Sequence, residues 1–295
     1  MAENPTVSVG MPVYNEGRFL APALESVLAQ DLKDFELIIS DNASTDGSSD
    51  VCAEFARRDA RIRYNRNPEN RGQVWNFNRV FELSAGKYFM WTGAHDLWHP
   101  SLLTRCLSVL ESDPSVVMCY PLITCIDEEG RPLPVEPTRM DTRSMGVSSR
   151  LNCVIWGLNR CDLIYSPIRR SALRHSRLIR PTLSPDNIIV AELSLVGSMA
   201  FLPEPLFFLR YIRKDETYAE VVRRGMATYS SKPPLFFFPS WRFFGEHILA
   251  VLLAPVKIDR KPVLLASVLF GVLARRSKHM MHDVTLFLKR LAGLN

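Results

Sequence analysis

Residues 7–48 read VSVGMPVYNEGRFLAPALESVLAQDLKDFELIISDNASTDGS, and this stretch decides the fold. It opens with a short apolar, β-branched run that ends near Tyr14. A helical stretch at 16–30 follows, with its apolar residues on one face, and a second β-branched run occupies 34–40. A strand, an amphipathic helix and a second strand at this spacing predict a βαβ unit with parallel strands.

The same alternation continues beyond this unit. Further strands are predicted at 61–66, 87–93 and 115–127, with helices at 72–86 and 100–112. Regular strand–helix alternation predicts an α/β fold, a doubly wound and mostly parallel sheet flanked by helices. In such sheets, ligands bind beyond the carboxyl ends of the strands.

The second half of the chain is less regular. Residues 126–185 are rich in Pro, Arg and Ser, with a loop expected at 131–147, before a helix at 185–197 and a strand at 200–213. The apolar segments after 216 are interrupted by charged residues and prolines, so none reaches the roughly 20 residues of a spanning helix. We therefore expect a domain at 1–215, divided into a nucleotide-binding half (1–125) and an acceptor-binding half (126–215). A helical apolar and basic appendage follows at 216–295.

The charge distribution bears on partners and location. The chain has 47% hydrophobic and 23% charged residues and a net charge of +5, with Lys and Arg concentrated after 257. No aromatic–basic motif accompanies them, which favours an anionic membrane surface over nucleic acid. In the final helix, one face carries Met280, Val284, Phe287, Leu288 and Leu291. This face suits an interfacial helix and a helix packed on the main domain equally well.

The cysteines and the start of the sequence bear on the cellular compartment in which the protein is expected. The six cysteines include no C-x-x-C pair, and no export signal precedes the first strand. We therefore expect reduced, buried thiols in a cytoplasmic protein, which the basic tail could hold at the inner face of a membrane.

Polar residues follow four of the predicted strands: MPVYNEG at 11–17, SDNASTDGS at 40–48, NPENRG at 67–72 and GAHD at 93–96. Carboxyl ends of parallel strands meet at one edge of a sheet, so these loops are expected to converge there. Each loop alone could be a simple turn or helix cap. No G-x-G-x-x-G follows the first strand, which weakens a dinucleotide oxidoreductase.

The stretch GAHDLWHP at 93–100 has three interpretations: a zinc motif, an altered sugar-nucleotide site, or a polar loop. A zinc pair of the H-E-x-x-H kind requires both histidines on one helix face. Pro100 directly follows His99 and disfavours the helical conformation there, and no third ligand is evident. His99 is therefore interpreted as structural.

Taken together, these motifs resemble the inverting family 2 glycosyltransferases of the GT-A fold, bacterial type. The resemblance is carried by the opening stretch quoted above and by ENRG…NRVFELSAGKYFMWTGAHDLWHPSLL. It covers residues 6–125 closely and 150–215 more loosely.

The resemblance implies a nucleotide-binding site on the polar loops. Asp41 matches the acid that accepts a hydrogen bond from the base, as a carboxylate can from the imide N–H of uracil. Tyr14 offers a ring face for stacking, and Asp46 belongs to the same loop as Asp41. The full set of implied nucleotide-binding residues is Pro12, Val13, Tyr14, Asn15, Glu16, Asp41, Asn42, Ser44, Asn70, Gly72 and Asn78.

The resemblance also implies a divalent metal, Mn²⁺ or Mg²⁺, at an acidic D-x-D-D motif. This chain has Gly93, Ala94, His95 and Asp96 at those positions, so two of three acids are missing. Imidazole ligates softer metals than Mg²⁺. His95 and Asp96 are interpreted as an altered metal–diphosphate site, with a polar loop lacking metal as the alternative.

Catalysis requires a base, because a sugar hydroxyl is a poor nucleophile until its proton is removed. The family's base is an Asp at the start of a helix, which Asp186 matches; the alternative is that Asp186 only caps that helix. Arg210 and Arg213 are candidates for stabilising the departing diphosphate, or surface residues.

The expected function is inverting transfer of a sugar from a nucleotide-sugar donor, with UDP favoured over GDP and dTDP, to a hydroxyl of a glycan or lipid-linked glycan. The alternative from another class is a non-catalytic sugar-nucleotide-binding module, motivated by the altered acidic motif. A nucleotidyltransferase is disfavoured because no Gly/Lys-rich phosphate loop follows the first strand.

Overall fold

The computed structural model describes residues 4–158, 162–212 and 238–291. Within them, eight strands form one sheet in the order β3-β2-β1-β4-β7-β6-β8-β5. The strands are β1 Val7–Val13, β2 Phe35–Asp41, β3 Ile62–Arg66, β4 Tyr88–Trp91, β5 Leu97–Trp98, β6 Val116–Ile126, β7 Ile168–Arg169 and β8 Ser198–Arg210.

Helices connect the strands and cover both faces of the sheet. The α-helices are α1 Leu20–Leu28, α2 Ser48–Arg58, α3 Gln73–Glu82, α4 Leu102–Ser112, α5 Val147–Gly157, α6 Arg170–Leu173, α7 Pro185–Val196, α8 Pro239–Leu253 and α9 Lys261–Leu291. Short 3₁₀ turns precede α1 at Gly17–Phe19 and α9 at Ile258–Arg260.

The sheet is mostly parallel, as predicted. β1 pairs in parallel with β2 and β4, and β2 with β3. The two-residue β7 lies antiparallel between β4 and β6, and the two-residue β5 pairs antiparallel with β8 at the edge. These two strands were not predicted, because two residues carry no detectable periodicity.

Two hydrophobic cores lie on opposite faces of the sheet. Strands β1 and β2 are buried along their whole length, which explains their continuous apolar character. One core packs around α1, α2 and α4, and includes Leu24, Phe55 and Leu103. The other packs around α3, α5 and α7 and extends into α8 and α9.

Gly10 explains the close approach of α3 to the sheet. A Cβ atom at this position would lie 2.6 Å from Cγ2 of Val80, on α3. Only glycine leaves space for the helix to pack this closely on β1, and α3 begins directly after the third polar loop.

The C-terminal region is helical, as expected, and it packs against the main domain. Phe243 and Val251 of α8, with Val268 of α9, belong to the same core as Ile155 and Ile188. The predicted boundary at 215–216 lies outside the described residues. Among the helices of the described part of the chain, none is long and apolar enough to cross a membrane.

Besides β7, the region 126–185 contains helices that were not predicted. Residues 131–146 form an extended loop without a helix, in agreement with the predicted loop at 131–147. The helix α5 at Val147–Gly157 was not predicted, because its weak segregation of polar and apolar residues gives no clear helical pattern.

Candidate functional site

The loops that follow β1 and β2 are hydrogen-bonded to each other, as their sequence predicted. The backbone N–H of Asn15 donates to Oγ of Ser44 at 3.0 Å, and the N–H of Thr45 donates to Oδ1 of Asn15 at 2.9 Å. The N–H of Gly17 donates to Oδ2 of Asp46 at 2.9 Å. Asn15 has a φ of +55°, a left-handed conformation that asparagine tolerates better than most residues. The two loops therefore form one rigid unit.

The first loop presents an exposed aromatic ring beside this unit. Pro12 and Val13 are buried within β1, so their side chains belong to the core of the sheet. Tyr14 follows them with 47% of its surface exposed. The first loop therefore offers one large exposed side chain, the ring that was predicted to stack on a base.

Asp41 ends β2 and is fully buried. Its Oδ1 accepts from the N–H of Ser44 at 2.9 Å, and its Oδ2 accepts from the hydroxyl of Tyr64 at 3.0 Å. The guanidinium of Arg66 lies 3.6 Å from Oδ2. Burial and the Asp41 carboxylate together raise the pKa of the Tyr64 hydroxyl, so Tyr64 stays protonated and donates. These partners fix the orientation of the carboxylate at the end of the strand.

The third loop is attached to the second through Asn42. The Nδ2 of Asn42 donates to Oδ1 of Asn70 at 2.7 Å, and the same Oδ1 accepts from the N–H of Gly72 at 2.9 Å. Gly72 has a φ of +85°, which a residue with a Cβ rarely adopts. The structure thus brings Asn42, Asn70 and Gly72 together with the first two loops.

Two buried asparagines complete these loops, and sequence reasoning missed both. The Nδ2 of Asn76, on α3, donates to the carbonyl oxygen of Ser40 at 2.8 Å. The N–H of Asn67 donates to the carbonyl oxygen of Asp41 at 2.8 Å. Both side chains are nearly buried, at 3% and 8% exposure. The Q-x-x-N-x-N spacing of amides at 73–78, on a helix that follows a polar loop, was the available indication for Asn76.

Asn78 has a different partner from the one predicted. Its Nδ2 donates to the carbonyl oxygen of Ile179 and its Oδ1 accepts from the N–H of Ile179, each at 3.0 Å. Both polar atoms are thus engaged by the segment that leads into α7. A nucleotide contact by Asn78 stays a prediction, whereas the observed contact anchors the segment before α7.

His95 joins the fourth polar loop to the first. Its Nδ1 lies 2.8 Å from Oε2 of Glu16, and both side chains are partly buried. A carboxylate on Nδ1 fixes the orientation of the ring and increases the basicity of the opposite nitrogen. The zinc interpretation of this stretch is incompatible with the fold, because Leu97–Trp98 is a strand and His99 contacts Ser101.

Asp96 is 1% exposed. Its Oδ1 accepts from the backbone N–H of Arg210 at 2.9 Å, while its Oδ2 has no hydrogen-bond partner among the described residues. Burial raises the pKa of Asp96 to about 6, and the neighbouring His95 opposes this shift. A buried carboxylate oxygen without a partner is costly, so this atom is suited to a cation or a donor group brought by a ligand.

Gly93, the first residue of the altered motif, lies against the side chain of Asp96. A Cβ atom at Gly93 would lie 2.4 Å from Oδ2 of Asp96 and 3.3 Å from Nε2 of His95. The Asp96 carboxylate therefore occupies the space that a side chain at position 93 would need. The glycine and the inward orientation of Asp96 depend on each other.

Arg210 supports the fourth loop. Its Nε donates to the carbonyl oxygen of His95 at 2.9 Å, and its Nη1 donates to those of Asp127 and Glu128 at 2.9 and 2.6 Å. The residue is 9% exposed. Arg210 is therefore not a surface residue. Its guanidinium connects the backbone of the His95–Asp96 loop to that of Asp127 and Glu128. Arg213, its predicted companion, lies outside the described residues.

The fit of a divalent metal to this loop is partial. The described residues contain no group of three His, Cys, Asp or Glu side chains that could hold a metal ion. Asp96 Oδ2 and the His95 imidazole are adjacent donors of types that Mn²⁺ accepts. A metal here would take its remaining ligands from a diphosphate and water.

Asp186 lies in the first turn of α7. Ser184, with a φ of +46°, occupies the N-cap position, so Asp186 is not the N-cap residue that the alternative interpretation required. Burial and the nearby Asp162 carboxylate raise the pKa of Asp186 to about 7. A carboxylate with a pKa near neutrality is suited to general-base catalysis.

Asp162 is a further acid at this position, and sequence reasoning missed it. It is 8% exposed and lies on the segment before β7, 24 residues from Asp186 in the chain. A second carboxylate disfavours ionisation of the first, which contributes to the raised pKa of Asp186. An isolated Asp in an irregular segment gives no indication of such a pairing.

Comparison with known proteins identifies the family of the chain. The family model described as "Glycosyl transferase family 2" matches residues 8–175, more than half of the chain. The putative glycosyltransferase EpsE of Bacillus subtilis is 35% identical over 112 residues, 38% of this chain and 40% of that protein. The putative teichuronic acid biosynthesis glycosyltransferase TuaG of the same organism is 30% identical over 129 residues, 44% of this chain and 51% of TuaG. The matched segments thus span about half or less of these relatives.

Solved structures share the fold at low identity. Residues 1–349 of TarS from S. aureus, in complex with UDP-GlcNAc, superpose with a TM-score of 0.66 at 15% identity, covering 98% of this chain and 83% of TarS. The mannosyltransferase PcManGT of Pyrobaculum calidifontis, in complex with GDP-Man and Mn²⁺, gives a TM-score of 0.51 at 16% identity, covering 99% and 81%. The expected GT-A architecture is thereby confirmed. On the evidence of its motifs, its sheet and the family match, the chain belongs to glycosyl transferase family 2.

Proposed function

We propose that this protein transfers a sugar from a nucleotide-sugar donor, with UDP as the favoured nucleotide, to a hydroxyl of a glycan or lipid-linked glycan acceptor, with inversion. One observation carries the proposal. Three interlocked loops at the carboxyl ends of β1, β2 and β3 stand in the same domain as Asp186, whose pKa is raised to about 7. We thus assign donor binding and proton removal to separate groups, the loops and Asp186.

The donor's nucleotide is proposed to bind on the three loops. The Tyr14 ring is exposed and can stack on the base. The Asp41 carboxylate, oriented by Ser44 and Tyr64, can accept a hydrogen bond from the imide N–H of uracil. The geometry of the loops around these two groups is held by hydrogen bonds of Asn15, Glu16, Asn42, Asn70 and Gly72.

Asp186 is proposed as the general base. With a pKa of about 7, a substantial fraction of its carboxylate is ionised at neutral pH and can accept the acceptor's hydroxyl proton. As that proton leaves, the acceptor oxygen forms its bond to the anomeric carbon and the bond from that carbon to the diphosphate breaks. Attack opposite the leaving group inverts the configuration at the anomeric carbon.

His95 and Asp96 are the residues proposed to hold a divalent metal at the diphosphate. When bound, the metal would supply charge stabilisation for the leaving diphosphate. Glu16 orients the His95 ring, and Arg210 fixes the His95–Asp96 backbone through the carbonyl of His95 and the Oδ1 of Asp96. The structure of PcManGT with Mn²⁺ shows that a protein of this fold binds such an ion.

The acceptor and the location are proposed from charge and from the relatives. TuaG is named for teichuronic acid biosynthesis and another relative is a chondroitin synthase of Escherichia coli, so polymeric glycans are reasonable acceptors. The net charge of +5 suits a cytoplasmic protein that binds peripherally at the inner, anionic face of a membrane, where lipid-linked glycans are presented.

Calorimetric titration with UDP, GDP and dTDP tests the donor. Each nucleotide is titrated with Mn²⁺, with Mg²⁺ and with chelator, against wild type, Asp96→Ala and Asp186→Asn. We expect UDP to bind with Mn²⁺, to bind less with chelator or with Asp96→Ala, and to bind normally to Asp186→Asn. Absence of binding by all three nucleotides would contradict the proposal.

A second assay separates transfer from simple binding. Donor turnover is measured with candidate glycan acceptors and with water alone. If the protein binds UDP-sugar but neither transfers nor hydrolyses it, the non-catalytic binding module is the better description. The assay includes this alternative because the Gly93-Ala94-His95-Asp96 motif is altered.

A further inference from the structure

Helices α8 and α9 form an antiparallel hairpin. The N–H of Ser240, at the start of α8, donates to Oδ2 of Asp283 at 2.8 Å, and Nε1 of Trp241 donates to the carbonyl oxygen of Met280 at 3.3 Å. At the opposite end, Nζ of Lys261 donates to the carbonyl oxygen of Leu252. The turn at 254–260 is therefore the tip of the hairpin.

Part of the apolar face that was predicted on the final helix is used for packing. Met280 is 2% exposed, and the ring of Phe287 lies 5.2 Å from that of Phe238. Met280 and Phe287 are therefore directed toward α8, whereas Leu288 of the same predicted face is 58% exposed.

The exposed apolar residues lie instead at the hairpin tip. Ile258 is 85% exposed, Leu253 64% and Val263 57%. These three residues lie on or beside the turn between the two packed helices. Large apolar side chains this exposed, and this close in sequence, are typical of a surface that contacts a partner or a membrane. They form the centre of what we call the tip surface, residues 252–263.

An apolar strip on α9 continues the tip surface. Val263, Ala266, Phe270 and Ala274 are all exposed and follow one another at intervals of three or four residues, so they lie along one side of the helix. Phe270 is 72% exposed, and its ring lies 6.1 Å from that of Trp156 on α5, which is 46% exposed. Exposed aromatic rings at the edge of an apolar surface are typical of the boundary between lipid and water.

Positive charge surrounds this surface. Lys257 and Arg260 are exposed on the turn, and Asp259 is the single acid between 254 and 263. Apolar side chains combined with basic residues match a bilayer that carries anionic headgroups. A second copy of the chain on the same surface would bring like charges together across a two-fold axis, which disfavours self-association.

We propose that the tip surface inserts into the headgroup region of an anionic membrane, with Leu253, Ile258 and Val263 as apolar anchors and Lys257 and Arg260 at lipid phosphates. This inference deepens the proposed membrane location and rests on it. It replaces attachment through the end of the chain by attachment through one defined turn, which is held to the catalytic domain by the packing of α8 and α9.

Vesicle flotation with the full chain tests the proposal. The vesicles contain either phosphatidylcholine alone or phosphatidylcholine with phosphatidylglycerol, and carry no donor or acceptor. We expect binding to the anionic vesicles that falls as salt is raised. Lys257→Gln/Arg260→Gln should weaken it about 30-fold, since each basic residue near the surface contributes a factor of roughly five. Leu253→Ser/Ile258→Ser should weaken it more than tenfold.

The matched control is Met281→Ser/Leu288→Ser, which removes two exposed apolar residues of the same helix. Met281 lies about 30 Å along α9 from Lys261, so binding should be unchanged. Circular dichroism and nucleotide titration verify that every variant is folded.

Three outcomes would overturn the proposal: equal loss of binding in the control variant, unchanged binding in both tip variants, or no binding to anionic vesicles by the wild type. Size-exclusion chromatography identifies one specific rival, a dimer that Ile258→Ser dissociates. Sugar transfer to a soluble acceptor is measured separately, so a failure of vesicle binding and a failure of the proposed enzymatic function give different results.

Discussion

Asp186 carries the clearest prediction at the scale of single residues. Asp186→Asn should lower kcat by about 100- to 10,000-fold while leaving the affinity for the nucleotide intact, because the amide cannot accept the acceptor's proton. Transfer rates and calorimetric titration of the same preparation measure the two effects. Equal losses of rate and of nucleotide affinity would indicate that Asp186 binds the donor instead.

The pH dependence of transfer follows from the raised pKa of Asp186. A base acts only when it is deprotonated, and burial beside Asp162 raises the pKa of Asp186 to about 7. The rate should therefore rise with pH through about 7 and become level above it, whereas an unperturbed Asp would already be ionised at pH 5. Asp162→Asn should move this midpoint to lower pH, since it removes a neighbouring negative charge. A midpoint that does not move would show that Asp162 has no influence on the base.

A second prediction at the scale of single residues concerns the contact between Gly93 and Asp96. Gly93→Ala should destabilise the protein by about 1–3 kcal/mol, because the new methyl group overlaps the Asp96 carboxylate. In an Asp96→Ala background the same substitution should cost much less, because the clashing atoms are gone. Thermal unfolding of the four proteins of this double-mutant cycle gives the coupling. Equal costs in both backgrounds would mean that the carboxylate relaxes away from position 93.

At the scale of elements, a buried ionic group connects α8 to α7. Nε of Arg177 donates to Oε1 of Glu192 at 2.6 Å, and its Nη2 donates to the carbonyl oxygen of Glu246 at 2.8 Å. Glu192 lies on α7, the helix that carries Asp186 in its first turn. Arg177 immediately precedes the Leu178–Ile179 segment that Asn78 anchors. The C-terminal hairpin and the proposed base are thus held by neighbouring contacts.

Removing one member of this group should be costly. Glu246→Ala leaves the Arg177 guanidinium buried with one carboxylate fewer, so we expect a loss of about 3–5 kcal/mol in the free energy of unfolding. Glu54→Ala breaks the exposed Arg58–Glu54 pair and should change stability by less than about 0.5 kcal/mol. Denaturant unfolding compares the two variants. A similar small effect in both would show that the buried group contributes little.

The elements also show how far the sequence predicts the structure. The sequence predicted β1, β2, β6 and the helix α7. Each of these is long enough for its pattern of apolar residues to indicate a buried strand or helix. The antiparallel β7 could not be, because its place between β4 and β6 depends on tertiary pairing of two residues. In the site, the loop contacts followed from the strand ends, whereas the Glu16–His95 pair joins residues 79 positions apart and is invisible to any local pattern.

At the scale of the whole molecule, the C-terminal hairpin belongs to the main core. A chain that ends before residue 238 would expose Ile155, Ile188 and the other residues that α8 and α9 cover. We expect this truncated protein to be insoluble or to lack a cooperative unfolding transition, as measured by circular dichroism and limited proteolysis. A soluble, cooperatively folded truncation would show instead that the hairpin is a separable appendage.

The position of this hairpin after α5 and α7 in the sequence also has a consequence for synthesis. The parallel strands β1 to β4 have all been made once residue 125 has left the ribosome, and they can pair early. The core beneath α5 and α7 stays open until α9 has been made, more than a hundred residues after α5. During that interval the nascent chain presents an apolar surface that a chaperone can cover, so the growing protein should depend on such assistance longest in its second half.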